Sequence, residues 1–111
     1  MSVTVETVDA IQVVMIEGRL DGSNAPDVED QLKGLITPET NRVVIDMSTL
    51  TYISSAGLRL VLMMAKQIKP LGGKFVLCGL QPNVTEVFEI SGFLSILTVV
   101  EDRDAALSAA A

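Results

Sequence analysis

The 111 residues include no histidine and no tryptophan, and only one cysteine (Cys78), one tyrosine (Tyr52) and three phenylalanines. Each shortage removes a class of function. Without histidine, the usual base for a serine nucleophile and the commonest metal ligand are both missing. One cysteine allows no intramolecular disulfide, which suits a reducing compartment. So few aromatics leave no platform on which nucleic-acid bases stack. Cations are also scarce: 8 lysines and arginines stand against 14 aspartates and glutamates, a net charge of −6. That is the wrong sign for gripping phosphate backbones. No apolar run reaches the roughly 20 residues of a membrane-spanning helix. The first residues lack the basic stretch, apolar run and cleavage site of a secretory leader. Neither G-x-x-x-x-G-K nor a metal-ligand cluster occurs, so no cofactor is expected. The expectation is a cytoplasmic chain that engages neither nucleic acid nor membrane.

What is present is the apolar patterning of a single domain over residues 1–111. Val3 and Val5 mark one strand and Ile11 to Glu17 a second, with Asp9-Ala10 as a tight hairpin connection. Gly18 to Gly22 breaks that pattern. Ser23-Asn24 then supplies a cap for a helix with Pro26 in its first turn. Val28, Gln31, Leu32 and Leu35 recur at helical spacing until Pro38. Val43-Val44-Ile45 reads as a strand covered on both faces, ended by Asp46. Leu58, Val61, Leu62, Ala65 and Ile68 form the stripe of a second helix, stopped by Pro70-Leu71-Gly72-Gly73. Phe75 to Cys78 is another buried strand. Pro82 opens a third helix with Val84, Val87 and Phe88 inward and Gly92 beyond its end. Ile96 to Val100 is a last strand, and Asp102 caps a short final helix.

This order, β-β-α-β-α-β-α-β-α, predicts an α/β fold. Its mixed sheet has an N-terminal hairpin followed by right-handed crossovers, with about four helices packed on it. Function in such sheets gathers at the strands' carboxyl ends. Two loops qualify, Leu20 to Asn24 and Asp46 to Gly57, and both can open on one edge.

The second loop ends in Tyr52-Ile53-Ser54-Ser55-Ala56-Gly57. Catalysis by these serines lacks a base, since Lys66 and Lys69 lie about 15 Å or more along the helix. The G-x-S-x-G elbow is absent as well. One serine is expected to cap the helix through its side-chain oxygen. A cap does not account for the second hydroxyl, nor for Gly57, which costs up to about 1 kcal/mol against alanine in a helix. Gly57 implies a close approach to the backbone, by a partner or by the sheet itself. A serine at a helix start also suits phosphorylation, because the free N–H groups and the dipole tolerate the added charge. Leu60, Met63, Met64 and Gln67 fall opposite the core stripe. They form an adaptable contact face for a partner unless another element covers them.

The stretch V-V-I-D-M-S-T-L-T-Y-I-S-S-A-G-L-R-L-V-L, from Val43 to Leu62, resembles the signature of STAS domains, specifically bacterial anti-sigma factor antagonists. L-D-G-S-N-A at Leu20 to Ala25 resembles that family's first loop, and the likeness spans essentially the whole chain. The family pattern is aspartate, phosphoacceptor serine, serine or threonine, glycine, leucine. Aligned on Gly57-Leu58, Ser55 falls at the phosphoacceptor, with Ser54 as second choice. Ala56 takes the place of the second hydroxyl residue, and Ser54 that of the aspartate. The resemblance implies partner switching. The unmodified protein binds an anti-sigma factor that is also a serine kinase holding ATP and magnesium. Phosphorylation on Ser55 ends the complex, and a PP2C-type phosphatase resets it. The implied contact set is Asp21, Ser23, Asn24, Tyr52, Ser54, Ala56, Gly57, Arg59, Leu60, Met63 and Met64. Asp46 matches an acidic strand-end residue with a structural role. The alternative is a STAS adaptor that works without phosphorylation in a lipid-transport or sensory complex.

Overall fold

The computed structural model describes residues 2–111. β1 (Ser2–Val8) and β2 (Ile11–Leu20) form an antiparallel hairpin. Its two-residue turn places Asp9 and Ala10 at φ 48° and 71°, the paired left-handed conformation that matches strand twist. α1 (Ala25–Leu32) crosses over to β3 (Arg42–Asp46), which lies parallel to β2. A short β4 (Leu50–Ile53) precedes α2 (Ser55–Ile68). β5 (Lys74–Cys78), α3 (Pro82–Ser91), β6 (Thr98–Val100) and α4 (Arg103–Ala110) complete the chain. The six strands run in the order β1-β2-β3-β5-β6, with β4 paired to the far end of β2.

The pleat divides the core in two. Val14, Ile16, Val43, Ile45 and Leu77 face α1, α2 and α3, meeting Val28, Val61, Ile68 and Phe88 there. Ile11, Val13, Val44, Val76 and Cys78 face the opposite side, where Ala106 and Ala110 of α4 lie close on the sheet. Alternation along a strand buried on both faces produces this division.

Several expectations need correction. α1 ends at Leu32, short of Leu35 and Pro38, and the last strand begins at Thr98, not at Ile96. β2 does not stop at Glu17: a bulge between Gly18, at φ 93°, and Arg19 carries it on to Leu20. The segment read as a plain loop from Asp46 to Gly57 contains β4, which pairs with that extension as Arg19↔Tyr52 and Leu20↔Ile53. β4 is further held from α3, where Asn83 Nδ2 donates to the Thr51 carbonyl at 2.6 Å. These pairings carry Asp21 and the double serine to one edge. No helix among the described residues is long and apolar enough to cross a membrane.

Candidate functional site

The two serines have opposite surroundings. Ser55 is the first residue of α2 and is exposed. Ser54 occupies the cap position with extended backbone (φ −98°, ψ 178°), its N–H donating to the Leu20 carbonyl at 2.9 Å. Its carbonyl accepts from the Leu58 N–H at 2.9 Å. The Ser54 Oγ, however, is buried and meets no hydrogen-bond partner among the described residues. Neither serine caps the helix through its side chain, contrary to expectation. The backbone of Ser54 is consumed in joining β2 to α2, and its hydroxyl is turned inward.

Gly57 shows why the bend is tight. A methyl group there would stand 2.7 Å from Ile53 Cγ1 and 2.9 Å from Leu20 Cγ. The glycine is buried against the ends of β2 and β4, so the sheet, not a docked protein, makes the close approach. Leu60 and Met64 are likewise buried, at 6% and 3% exposure, and Met63 partly so. Of the two readings of this face, cover by another element holds for most of it: Leu60 and Met64 join Leu32 of α1 in the core, and Ile36, beyond the end of α1, packs against that core. Periodicity identifies an apolar face without saying whether a partner or the chain itself covers it.

Around Ser55 the structure leaves Arg59, one helical turn on, exposed and without an ion pair among the described residues. Ala56 is partly buried and Tyr52 stands at 36% exposure. The Asp21 loop lies alongside, for a methyl on Gly22 would come within 4.0 Å of Ala56 Cβ. Between them opens a cavity of about 270 Å³ walled by Pro26 and Glu29 of α1 and by Ala56, Arg59 and Met63 of α2.

Asp21 is ordered by its own loop. Its Oδ1 accepts from the Ser23 hydroxyl at 2.6 Å and from the Ser23 N–H at 3.0 Å. These bonds, the hydroxyl first, together with the nearby Arg19 cation hold its carboxyl below the usual range. Asn24 sits at the cap position of α1 but does not cap through its side chain. Its Oδ1 accepts from the Asp21 N–H at 2.9 Å, and its Nδ2 donates to the Arg19 carbonyl at 2.7 Å. The amide is turned back to tie the loop, which corrects the expected capping role. Arg19 escaped the sequence reading. Its guanidinium lies 4.2 Å over the Tyr52 ring and 3.9 Å from Asp21, a placement created by the β2–β4 pairing.

The whole forms a shallow surface with an exposed hydroxyl at a helix start, an ionised aspartate and two exposed arginines. Among the described residues there is no group of three or more ligands for a metal. The buried Cys78 thiol is pushed up to about 11 by burial and by the neighbouring Asp46 charge, which keeps it unreactive.

A family model described as STAS domain matches residues 2–106. A Bordetella bronchiseptica protein bearing the name anti-sigma factor antagonist BtrV is 45% identical over 109 residues, covering 98% of this chain and 94% of its own. The crystal structure of an anti-sigma factor antagonist from Mycobacterium paratuberculosis superposes with a TM-score of 0.90 at 22% identity, covering 98% and 92% of the two chains. The Bacillus cell fate determinant SpoIIAA in its phosphorylated form gives 0.76 at 19% identity, covering 96% and 97%. At those identities the two structures speak for the fold.

Proposed function

The chain belongs to the STAS domain family, and from that premise we propose that it is an anti-sigma factor antagonist working by partner switching in the cytoplasm. Its partner is an anti-sigma factor that is also a serine kinase, Ser55 is the residue modified, and a PP2C-type phosphatase reverses the step. The observation that carries this reading is the contrast between an exposed Ser55 and a sealed Ser54. A kinase reaches the first hydroxyl and not the second.

The switch follows from charge. Phosphorylation adds about −1.5 to −2 charges at the start of α2. No acidic residue occupies the first turn of that helix, so its free N–H groups and dipole accommodate the anion. Arg59, four residues on, lies on the same side of the helix. The fold therefore tolerates the modification. A partner docked over Ser55 and the Asp21 loop does not, because the dianion loses hydration that the contact cannot replace. About 2.8 kcal/mol of mismatch weakens binding a hundredfold. On this reading the chain binds and catalyses nothing. The alternative, a phosphorylation-independent adaptor, would use the methionine-bearing face of α2 as a permanent interface, and Leu60 and Met64 of that face are buried.

The test is incubation with the cognate kinase and ATP, followed by peptide mapping. Phosphate is expected on Ser55 alone. Ser55→Glu should reduce partner affinity about a hundredfold, equivalent to about 2.8 kcal/mol, while its melting temperature stays that of the parent. Phosphate on Ser54, or undiminished binding by Ser55→Glu, overturns the reading.

A further inference from the structure

The cations of this acidic chain are not spread evenly. Arg19 and Arg103 form the ion pairs found among the described residues. Five others, Lys33, Arg42, Lys66, Lys69 and Lys74, are exposed, make no ion pair among the described residues, and gather at the pole opposite Ser55. Arg42 and Lys74 are direct partners where β3 and β5 begin. Lys33 lies beyond the end of α1, beside the last turns of α2. Lys66 and Lys69 stand at the end of α2, about 20 Å from Ser55 by the length of the helix.

Beside these lysines runs a groove of about 500 Å³. One wall is the α2 ridge Leu62, Ala65, Lys66, Lys69, which follows the helix axis at i, i+3, i+4 and i+7. Phe75 lines it from β5, and Ile96 and Leu97 form the far side, with Ile96 70% exposed. Leu62, Phe75 and Leu97 are only partly buried. No residue of α3 lines the groove, so beside α2 the helical layer is left open over an apolar floor.

We infer that this groove is a second docking site, independent of the switch, for an acidic amphipathic helix of a protein partner. The helix lays leucine-like side chains between α2 and the Ile96–Leu97 segment and sets its carboxylates against Lys66 and Lys69. A linear trough parallel to a helix suits another helix. The cations at its rim, in a chain of net charge −6, select an acidic flank. A flat bilayer does not fill a concave groove. Occupation of this site leaves Ser55 free, so one molecule can be tethered at one end while its other end switches.

The probe is a fluorescent synthetic peptide of about 18 residues with leucines at i, i+3, i+4 and i+7 and glutamates on the flanks. Anisotropy titration should show saturable binding that weakens with salt. Binding should fall at least tenfold for the composition-matched scrambled peptide and for the Lys66→Glu, Lys69→Glu double variant. Ile96→Ser, an exposed change, should reduce it severalfold with the fold intact by circular dichroism. Equal binding of the scrambled peptide, or undiminished binding by the double variant, overturns the inference. So does flotation with phosphatidylglycerol vesicles that the double variant abolishes while the peptide fails to bind, which makes the surface a membrane contact. A second copy in a two-fold contact would register as a dimer by light scattering, and a dimer that the double variant dissociates while the peptide fails to bind overturns the inference. Phosphorylation of Ser55 should proceed equally in parent and double variant, so this result stands apart from the fate of the switch.

Discussion

Asp21 and Asp46 carry the same local device at two places on the sheet's carboxyl edge. Each follows or ends a strand and accepts, through Oδ1, the backbone N–H of a serine two residues on, at 3.0 Å and 2.9 Å. What differs is the second oxygen. Asp46 Oδ2 receives Nε and Nη2 of Arg103 at 3.1 and 3.0 Å, and Arg103 also reaches Glu6 at 3.1 Å. That clasp ties β1, β3 and α4 together. Among the described residues, Asp21 Oδ2 has only Arg19 at 3.9 Å. The side chains are 8% and 28% exposed respectively. One turn motif thus serves as a clasp where an arginine closes over it, and as presented surface where none does. The motif alone does not decide the role.

Asparagine substitutions sharpen the contrast. Asp46→Asn keeps an acceptor for the Ser48 N–H but removes the charge that Arg103 faces. A fully buried broken pair costs about 3–5 kcal/mol. Arg103 is partly exposed, so a loss of about 2–3 kcal/mol in urea unfolding is expected. Asp21→Asn should change stability by less than about 0.5 kcal/mol, yet weaken partner binding at least tenfold. The pH profile follows the same division. Burial raises the Asp46 carboxyl, but the Ser48 bonds and Arg103 outweigh it and hold the group below its ordinary 3.8. Its contribution is therefore complete above that unfolded-state value and is lost as pH falls through the lower folded value. The parent should lose stability on acidification through this window, and Asp46→Asn should lose less. Equal costs for the two substitutions would break the comparison.

The Asp21 side is not uniformly free surface, because its floor is as closely packed as the clasp. Gly57→Ala forces a methyl against Ile53 and Leu20. Overpacking of about 1–3 kcal/mol outweighs a helix-propensity gain of up to about 1 kcal/mol. A net loss of about 1–2 kcal/mol is expected on thermal unfolding. A neutral result would mean that the bend yields and that the glycine answers to something outside the chain.

The course of the chain and much of its core were legible in the sequence, and the reasons are local. Val43-Val44-Ile45 is too short and too β-branched to be anything but a covered strand, and Asp102 does cap α4, accepting from the Ala105 N–H at 2.9 Å. β4 was hidden because its four residues read buried, exposed, exposed, buried, with no alternation to follow. Its partner is reached only across the bulge at Gly18, a pairing more than thirty residues distant in sequence. Arg19 was missed for the same reason, since nothing before that pairing puts it over Tyr52. The role of the methionine face stayed open in the sequence because helical spacing gives directions around one axis, whereas the cover comes from another helix. At the double serine, the resemblance to the family pattern, aligned on Gly57-Leu58, singled out Ser55, but only the fold shows which hydroxyl faces water.

The smallest expected effect tests that last point. Ser54→Ala removes a buried hydroxyl with no partner among the described residues, so no hydrogen bond is lost and a desolvation penalty disappears. Stability should stay level or rise by up to about 1 kcal/mol, where removal of a true capping side chain would cost about 1 kcal/mol. Ser54→Ala should also accept phosphate from the kinase at the parent rate, while Ser55→Ala accepts none. The two measurements are independent, one of folding and one of access, and both follow from the inward turn of a single oxygen. A destabilised Ser54→Ala that is still phosphorylated would restore the capping role without touching Ser55. A stable Ser54→Ala that takes no phosphate would move the switch to the neighbouring hydroxyl, and the helix would then have to open by a turn to expose it.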